Sequence, residues 1–291
     1  MVTGLRYMMV KKKIQINKST PEFNKPEENH LSIQISLDGF SFCAINKVSK
    51  SVETLGHTPF AVSSNIPHKL LENVKEAFEN EPVLQKKFSS VSVTHVNNLA
   101  SIVPKALFNE NSLPQYLKYN LKIYRNDFIA FDQLLNHDLV NVYIPFVNVN
   151  NFLFDKLGEF EYKHSGTVLL QSLLDVYRFS EKPHIFINIR ESFFDLVAIA
   201  NNQLQLYNCF TYENKADFIY YILFTAEQLN FNPEYFELVL TGNVIKNDTL
   251  YEIAYQYIRN VTLIESRSNL VLNESFTDDI QRQFYILLHQ Y

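Results

Sequence analysis

Two stretches of alternating apolar and polar residues organise the chain. In the first, residues 31–60, Ile33 and Ile35 alternate with polar residues, which is the two-residue period of a half-buried strand. The dipeptide Asp38-Gly39 follows as a hairpin signal, and apolar positions then resume in a return strand. The stretch therefore predicts three consecutive strands joined by short turns.

A related pattern returns in residues 185–212. Ile185 and Ile187 alternate with polar or aromatic neighbours, and Asn201-Asn202 supplies a second turn before the last strand of the group. One supersecondary unit that occurs twice in a chain predicts an internal duplication.

Helical and strand periodicities place the remaining elements. Predicted strands cover residues 90–96, 128–135, 141–146, 159–164, 236–240 and 261–266. Predicted helices begin at Pro67, Leu113, Val149 and about Lys215. Ser165 or Thr167 and Asp248 or Thr249 are predicted to cap two more helices, and Thr277 opens the last one. Both halves thus follow one plan, in which three strands precede a helix and a further strand, and the fold class is α/β.

The length of 291 residues favours two domains. We assign residues 1–30, rich in polar residues towards their end, to a flexible N-terminal lead-in. Residues 31–164 form the first half with an irregular insertion, and residues 165–291 form a linking helix and the second half.

Composition excludes several classes of protein. A hydrophobic content of 46% with 20% charged residues is typical of a globular protein, and a net charge of −5 argues against a nucleic-acid partner. No apolar run is long enough to span a membrane, and the N-terminus lacks the apolar core of a secretory signal, which together predict a cytoplasmic protein. Cys43 and Cys209 have neither a disulfide nor a zinc spacing and are interpreted as small buried apolar residues.

The duplicated plan, with IVPKALFNE at residues 102–110 and NVYIPF at residues 141–146, resembles the actin-like ATPase superfamily. More closely, the chain is similar to the actin-like protein of type IV pilus assembly and to an uncharacterised bacterial family of degenerate actin-like proteins. The resemblance implies two ribonuclease-H-like halves in an actin-like ATPase fold.

The chain departs from that superfamily at the three places where its working members bind nucleotide. Their first turns carry Asp-x-Gly, whereas here Ser36 stands at the aspartate position of the first half, with Asp38 and Gly39 displaced along the turn. The second half has residues 188–190, Asn-Ile-Arg, and residues 241–243 keep one glycine of the adenosine-binding pair. Only six glycines occur in the chain, so little material exists for loops that approach phosphate closely.

These departures favour a non-catalytic protein with a protein-binding or scaffold role and no cofactor. The alternative is a divergent nucleotide-binding ATPase or kinase, in which Asp38, Gly39, Arg190 and Gly242 would contact the nucleotide. A third hypothesis is a sugar or metabolite binder. The competing structural interpretations are a simple turn for Asp38, a solvent-facing ion pair with Glu191 for Arg190, and a strand end for Gly242.

Tyrosines concentrate in the second half, and the helices there have too many to bury them all. We predict a partner surface around Tyr220, Tyr221, Tyr251 and Tyr255, because tyrosine suits interfaces that are apolar at one end and hydrated at the other. The competing interpretation is that these side chains lie along the protein's own helices with their hydroxyls in water. The partner is an unknown protein, with a homodimer as a further option.

Overall fold

The computed structural model describes residues 13–17, 26–61, 69–265 and 268–291. The strands are β1 (Ile14–Asn17), β2 (Asn29–Ser36), β3 (Gly39–Asn46), β4 (Val52–Pro59), β5 (Ser90–Val96), β6 (Ala100–Pro104), β7 (Ala130–Gln133), β8 (Leu139–Tyr143), β9 (Glu161–His164), β10 (His184–Ile189), β11 (Phe193–Ala200), β12 (Gln203–Thr211), β13 (Glu237–Gly242) and β14 (Asn260–Leu263). The α-helices are α1 (Leu70–Glu79), α2 (Leu113–Leu117), α3 (Val147–Leu157), α4 (Ser165–Val176), α5 (Lys215–Gln228), α6 (Thr249–Tyr257), α7 (Asp278–Gln283) and α8 (Tyr285–His289).

Two larger sheets share one strand order. The first sheet runs β1-β4-β3-β2-β5-β9, with β2, β3 and β4 forming an antiparallel meander. The second sheet runs β12-β11-β10-β13-β14, in which the meander is antiparallel and β13 and β14 join in parallel. Apart from β1, the order β4-β3-β2-β5-β9 of the first sheet matches the order β12-β11-β10-β13-β14 of the second sheet strand by strand. The internal duplication that the sequence predicts remains our interpretation of this shared order.

A third, antiparallel sheet of order β6-β8-β7 is built from residues 96–145. Its own small core includes Val103, Val140 and Val142, with Leu117 of α2 packed beside them. The sequence predicted a less regular middle at residues 112–160, and the part of it up to residue 145 contributes β7, β8 and α2 to this sheet and its core.

By its contacts the chain divides into two compact units. The first unit comprises the described part of residues 1–95 together with residues 146–162, and the second comprises residues 96–145 together with the described part of residues 163–291. Contacts thus group residues 96–145 with the second sheet, whereas the sequence placed them in the first half. The domain boundaries drawn from the sequence, at residues 30 and 164, remain a prediction.

In each unit, helices cover the hydrophobic faces of a sheet. In the first unit, Ile33 and Ile35 of β2 pack with Val74 of α1 and Leu153 of α3. In the second unit, helices cover both faces of the sheet. Alternate residues of β10 point to opposite faces, so each face contributes apolar side chains to a core. One side packs with α5 and α6, and the other with α4 and α8.

The predicted elements are found close to where the hydrophobic pattern placed them, and the mixed α/β class is confirmed. The start predicted at Pro67 lies outside the described residues, as does Ser266 at the predicted end of β14. The last predicted helix is divided into α7 and α8 at Phe284, which has a non-helical backbone.

The predicted flexible lead-in contains an ordered strand. Ile14 and Ile16 of β1 belong to a four-residue segment that pairs antiparallel with β4, so a strand lies within the residues that the sequence assigned to the lead-in. The alternation of Ile14 and Ile16 with polar residues covers only four positions, which is too short a pattern to distinguish a strand from a loop.

Candidate functional site

The turn after β2 is closed by the side chain of Ser36. Its hydroxyl oxygen accepts a hydrogen bond of 3.1 Å from the Gly39 amide and lies in very short contact with the carboxylate of Asp38. The main-chain carbonyl of Asp38 accepts a bond of 2.8 Å from the Phe60 amide. The Ser36 hydroxyl, one oxygen of the Asp38 carboxylate and the Gly39 amide are therefore engaged in holding the turn.

Gly39 already belongs to β3, and the bend lies at Leu37 and Asp38. Positive φ angles, which an Asp-Gly hairpin turn requires at its glycine, are found at Gly158 and Gly242 but not at Gly39. A Cβ atom at Gly39 would lie 2.7 Å from the Cε1 atom of His57 on β4. The glycine thus allows the close approach of β4, which is a different role from the turn that the sequence predicted.

The corresponding turn of the second sheet is held by a buried carboxylate. Asn188 of β10 lies opposite Asp195 of β11, and its amide donates a bond of 2.8 Å to the Asp195 Oδ2 atom. The Asp195 Oδ1 atom accepts bonds from the Tyr207 hydroxyl (3.1 Å) and from the Cys209 thiol (3.0 Å). Asp195 is 1% exposed, so its charge depends on these donors and on a nearby cation.

That cation is Arg190. Its Nε atom lies 3.9 Å from the Asp195 Oδ2 atom, and its side chain is 12% exposed. Its amide donates to the Phe193 carbonyl, and its carbonyl accepts a bond of 2.7 Å from the Tyr212 hydroxyl. Arg190 therefore faces a buried aspartate and is itself largely buried, which differs from the solvent-facing position in the competing interpretation.

Gly242 fits directly against the backbone of the same turn. It has a φ of +80°, and a Cβ atom there would lie 2.2 Å from the Ile189 carbonyl oxygen and 2.9 Å from the Asn188 Oδ1 atom. The next amide, that of Asn243, donates a bond of 2.8 Å to the Ile189 carbonyl. The structure thus explains this glycine by contact with the protein's own backbone.

A second buried polar group surrounds the start of α4. His164 caps this helix, because its Nδ1 atom accepts a bond of 3.0 Å from the Gly166 amide. Its Nε2 atom donates to the Asn97 carbonyl at 3.0 Å, which fixes the neutral tautomer with the proton on Nε2. The sequence predicted Ser165 or Thr167 as the cap, and histidine was missed because it is not among the preferred capping residues.

Asp132 of β7 joins this group from the small third sheet. Its Oδ2 atom accepts bonds from the Thr167 hydroxyl (2.6 Å) and the His164 amide (2.9 Å), and its Oδ1 atom accepts a bond of 3.0 Å from the Tyr143 hydroxyl. Burial raises the pKa of the Asp132 carboxyl, and these donors oppose the rise. The carboxylate ties β7 and β8 to the start of α4.

Burial alters the titration of the histidine, tyrosine and cysteine in these two groups. Burial lowers the pKa of His164 to about 4, so the imidazole is neutral. Burial, with the adjacent charge of Asp195, raises the pKa of the Tyr207 hydroxyl and that of the Cys209 thiol well above their ordinary values. A protonated thiol is a poor nucleophile, so Cys209 serves here as a hydrogen-bond donor.

The cysteines differ from each other more than the sequence predicted. Cys43 is fully buried in β3 as an apolar residue, and burial raises the pKa of its thiol. Cys209 is partly exposed and donates to a carboxylate. In the described ranges, no group of three or more His, Cys, Asp or Glu side chains is arranged to hold a metal ion.

The four predicted surface tyrosines divide into two pairs. Tyr220 of α5 and Tyr255 of α6 are 59% and 63% exposed. Tyr221 and Tyr251 are half-buried and pack against the core beneath the same helices. Tyr251 stacks on Tyr255, with ring centroids 6.2 Å apart.

Sequence reasoning missed the residues that organise the second site. Asp195 interrupts the otherwise apolar strand FFDLVAIA. Because charged residues are almost never buried without a partner, its position indicates that another residue pairs with it. His164 and Asp132 gave no such signal, because 32 residues separate them in the chain.

Comparison with known proteins places the chain in a family. A family model described as "Protein of unknown function (DUF3822)" matches residues 18–261, which is most of the chain. The chain belongs to this family. No curated protein matches it.

Solved structures show the fold of this family member. The chain is similar to a protein from Bacteroides thetaiotaomicron with an actin-like ATPase fold and unknown function, at 25% identity and a TM-score of 0.76, over 84% of this chain and 93% of that one. The PilM–PilN type IV pilus biogenesis complex matches at 11% identity and a TM-score of 0.63, over 91% of this chain and 98% of the matched chain. The actin-like ATPase fold that the sequence resemblance implied is thus confirmed, together with the resemblance to a bacterial family of unknown function.

Among the described residues, no helix has both the length and the apolar character needed to cross a lipid bilayer.

Proposed function

We propose that this family member is a non-catalytic protein that uses an actin-like body to bind another protein. The observation that supports this function is the internal closure of the turn after β10. Asn188 and Arg190 are engaged with Asp195, and the Ile189 carbonyl is taken by the amide of Asn243. Anion binding by a loop needs free backbone amides and space for close approach. The amides of Arg190 and Asn243 already donate to the carbonyls of Phe193 and Ile189.

The buried charge at this turn adds an electrostatic argument. Asp195 lies beneath Arg190, so the cation that could attract a phosphate is already compensated by a buried carboxylate. A phosphate brought to Arg190 would also meet the charge of Asp195 at short range in a partly desolvated place. Such a like charge opposes binding.

The exposed aromatic face of α5 and α6 supports the protein-binding part of the proposal. Tyr220 stacks on the exposed Phe224, with centroids 5.9 Å apart, and Tyr255 stacks on Tyr251. Adjacent stacked rings are rigid and present a large apolar area with polar edges, which suits a protein interface. PilM, solved in a complex with PilN, is a precedent for a protein of this fold that engages another protein.

One observation favours the alternative, a divergent nucleotide-binding ATPase or kinase. Within the described part of the chain, the Arg190 Nε atom is buried and has no hydrogen-bond partner. A buried cationic donor without an acceptor is where an anion would bind. In that alternative Asp38, Gly39, Arg190 and Gly242 would be the nucleotide contacts.

Thermal melting with ATP, ADP or GTP and Mg²⁺ separates the two functions. We expect no binding stronger than the millimolar range, about −4 kcal/mol, because the turn after β10 is closed. Ligand at a hundred times its dissociation constant would stabilise the fold by about 2.7 kcal/mol, which raises the melting temperature visibly. Micromolar affinity in calorimetric titration would overturn the scaffold proposal and support the ATPase or kinase.

The partner surface is tested with variants that keep the fold. The wild type is used to capture a specific protein from its native lysate. We expect the double variant Tyr220→Ser, Tyr255→Ser to bind that protein about tenfold or more weakly, because exposed interface tyrosines are frequent binding hot spots. The control is Tyr119→Ser, which removes a tyrosine that is 83% exposed but lies in residues 96–145. Equal loss with the control, or no loss with the double variant, contradicts the proposed surface.

A further inference from the structure

Strand β12 lies at an edge of the second sheet in the part of the chain that the structure describes. It spans nine residues, Gln203–Thr211, and pairs on one side with β11. A strand in this position presents a row of backbone amide and carbonyl groups that another strand can pair with.

The hydrogen-bond pattern shows which groups point away from the sheet. In an antiparallel pair, alternate residues direct both backbone groups towards the neighbouring strand. The Tyr212 amide points inward, since it donates to the Ser192 carbonyl at 3.3 Å. The Cys209 amide instead donates to the side chain of Asn208, at 2.9 Å. The alternation therefore directs the backbone groups of Tyr207, Cys209 and Thr211 outward.

The composition of β12 favours pairing. Residues 201–212 contain no charged residue and no proline, which are residues that commonly protect an edge strand from association. One register shift, opposite Ala198 and Ile199, makes the strand irregular near Gln205. The segment from Leu206 to Thr211 keeps a regular register with β11 and can accept a further strand.

The first sheet shows what happens at the corresponding edge. There β4 takes the place of β12 in the shared strand order, and β1 pairs with it antiparallel. β4 also ends at Pro59, which cannot donate a backbone hydrogen bond to a neighbouring strand. The chain thus supplies its own antiparallel strand to one of the two equivalent edges.

We propose that β12 is the pairing surface for a second copy of this chain, with the two β12 strands antiparallel about a two-fold axis. A two-fold axis makes two copies of one strand antiparallel, which is the orientation that β1 adopts on β4. Because β12 carries no charge, its two copies meet without like-charge repulsion. The dimer joins the second sheets of two molecules into one continuous sheet, and it is independent of the aromatic face on α5 and α6.

Sedimentation velocity over a range of protein concentrations tests this dimer. We expect the wild type to shift from monomer to dimer with rising concentration. The variant Thr211→Lys places a charge at an exposed position of the otherwise uncharged strand. We expect it to raise the dimer dissociation constant about tenfold or more, because charged side chains on an edge strand disfavour pairing. The control variant Gln256→Lys adds the same charge at an exposed position of α6 and keeps the wild-type dimer.

Hydrogen exchange identifies the surface. On dimerisation we expect slower exchange at the amides of Tyr207 and Thr211, and no such slowing in Thr211→Lys, with both variants melting close to the wild type. A wild type that stays monomeric at every soluble concentration overturns the proposal. A dimer that survives Thr211→Lys, or one that protects another segment, overturns it as well.

Discussion

The turn after β2 and the turn after β10 occupy the same place in two sheets of the same strand order, yet different groups hold them. Ser36 closes the first turn with local hydrogen bonds to its near neighbours Asp38 and Gly39. The second turn is held by Asp195 from the adjacent strand and by Gly242, which packs against Ile189. Gly242 lies 53 positions after Ile189 in the chain. The comparison shows that equivalent turns can be held either by residues within the turn or by residues from other strands. Mutations should therefore affect the stability of the two turns differently.

The largest difference is expected between the two glycines. Gly242→Ala should lower the free energy of unfolding by about 4 kcal/mol. At this positive φ the new Cβ atom would clash with the Ile189 backbone. That backbone cannot move without disturbing the pairing of β10 with β13. Gly39→Ala should cost about 1 kcal/mol, since its nearest contact is a ring atom of His57, a side chain that can rotate. Urea denaturation of both variants measures this, and equal losses would contradict the comparison.

The buried aspartate of the second turn comes next. Asp195→Ala removes the acceptor of Asn188, Tyr207 and Cys209 and leaves Arg190 buried without its partner. We expect a loss of about 3 kcal/mol in chemical denaturation, as for other broken buried pairs. Asp195→Asn keeps the shape and one acceptor oxygen and should lose less. If Asp195→Ala were as stable as the wild type, the buried network would not hold the second turn.

A pH titration compares one buried histidine in each unit. Burial lowers the pKa of His164 to about 4, and burial with the positive charge of Lys47 lowers that of His30 to about 4. Because the folded-state pKa is below the unfolded value of about 6.5, the folded state prefers the neutral ring. The stabilisation is therefore present above pH 6.5 and is lost as the pH falls towards 4. For His164 the loss is about 2 kcal/mol by pH 5.

Denaturation at pH 7 and pH 5 checks this prediction. His164→Gln should be less stable at pH 7, because its Gly166 and Asn97 contacts weaken, and it should lose less on acidification than the wild type. His30→Gln is the matched variant in the first unit, where the ring lies between Ser90 and Ser92. If both variants keep the full acid sensitivity of the wild type, other groups are responsible for it.

The smallest effect is expected at the first turn. Asp38→Ala should cost about 1 kcal/mol or less, because the Gly39 amide still donates to Ser36 and the Phe60 amide still finds the main-chain carbonyl at position 38. Thermal melting measures the change. A severalfold loss of ATP affinity in this variant, at unchanged stability, would show that Asp38 has a ligand role and would weaken the scaffold proposal.

Much of the fold could be predicted from the chain, and less of the candidate site. The strands of both meanders follow from alternation, and Asp248 and Thr277 were predictable as helix caps because they are preferred capping residues directly before the helices they cap. β1 was missed because its pattern covers only four residues. Gly242 and Arg190 were selected by resemblance, but their contacts with Ile189 and Asp195 could not be predicted, and Asp195 itself was not singled out.

The sequence by itself determined the kinds of element and their order, because strand and helix periodicities depend on residues only two to four positions apart. Tertiary structure decided what the polar residues do. His164 reaches Asp132 across 32 positions, and the same backbone plan leaves β12 at an edge while β1 covers β4. These outcomes depend on which strands become neighbours, and a buried carboxylate or an edge amide finds its partner only after the sheets have formed.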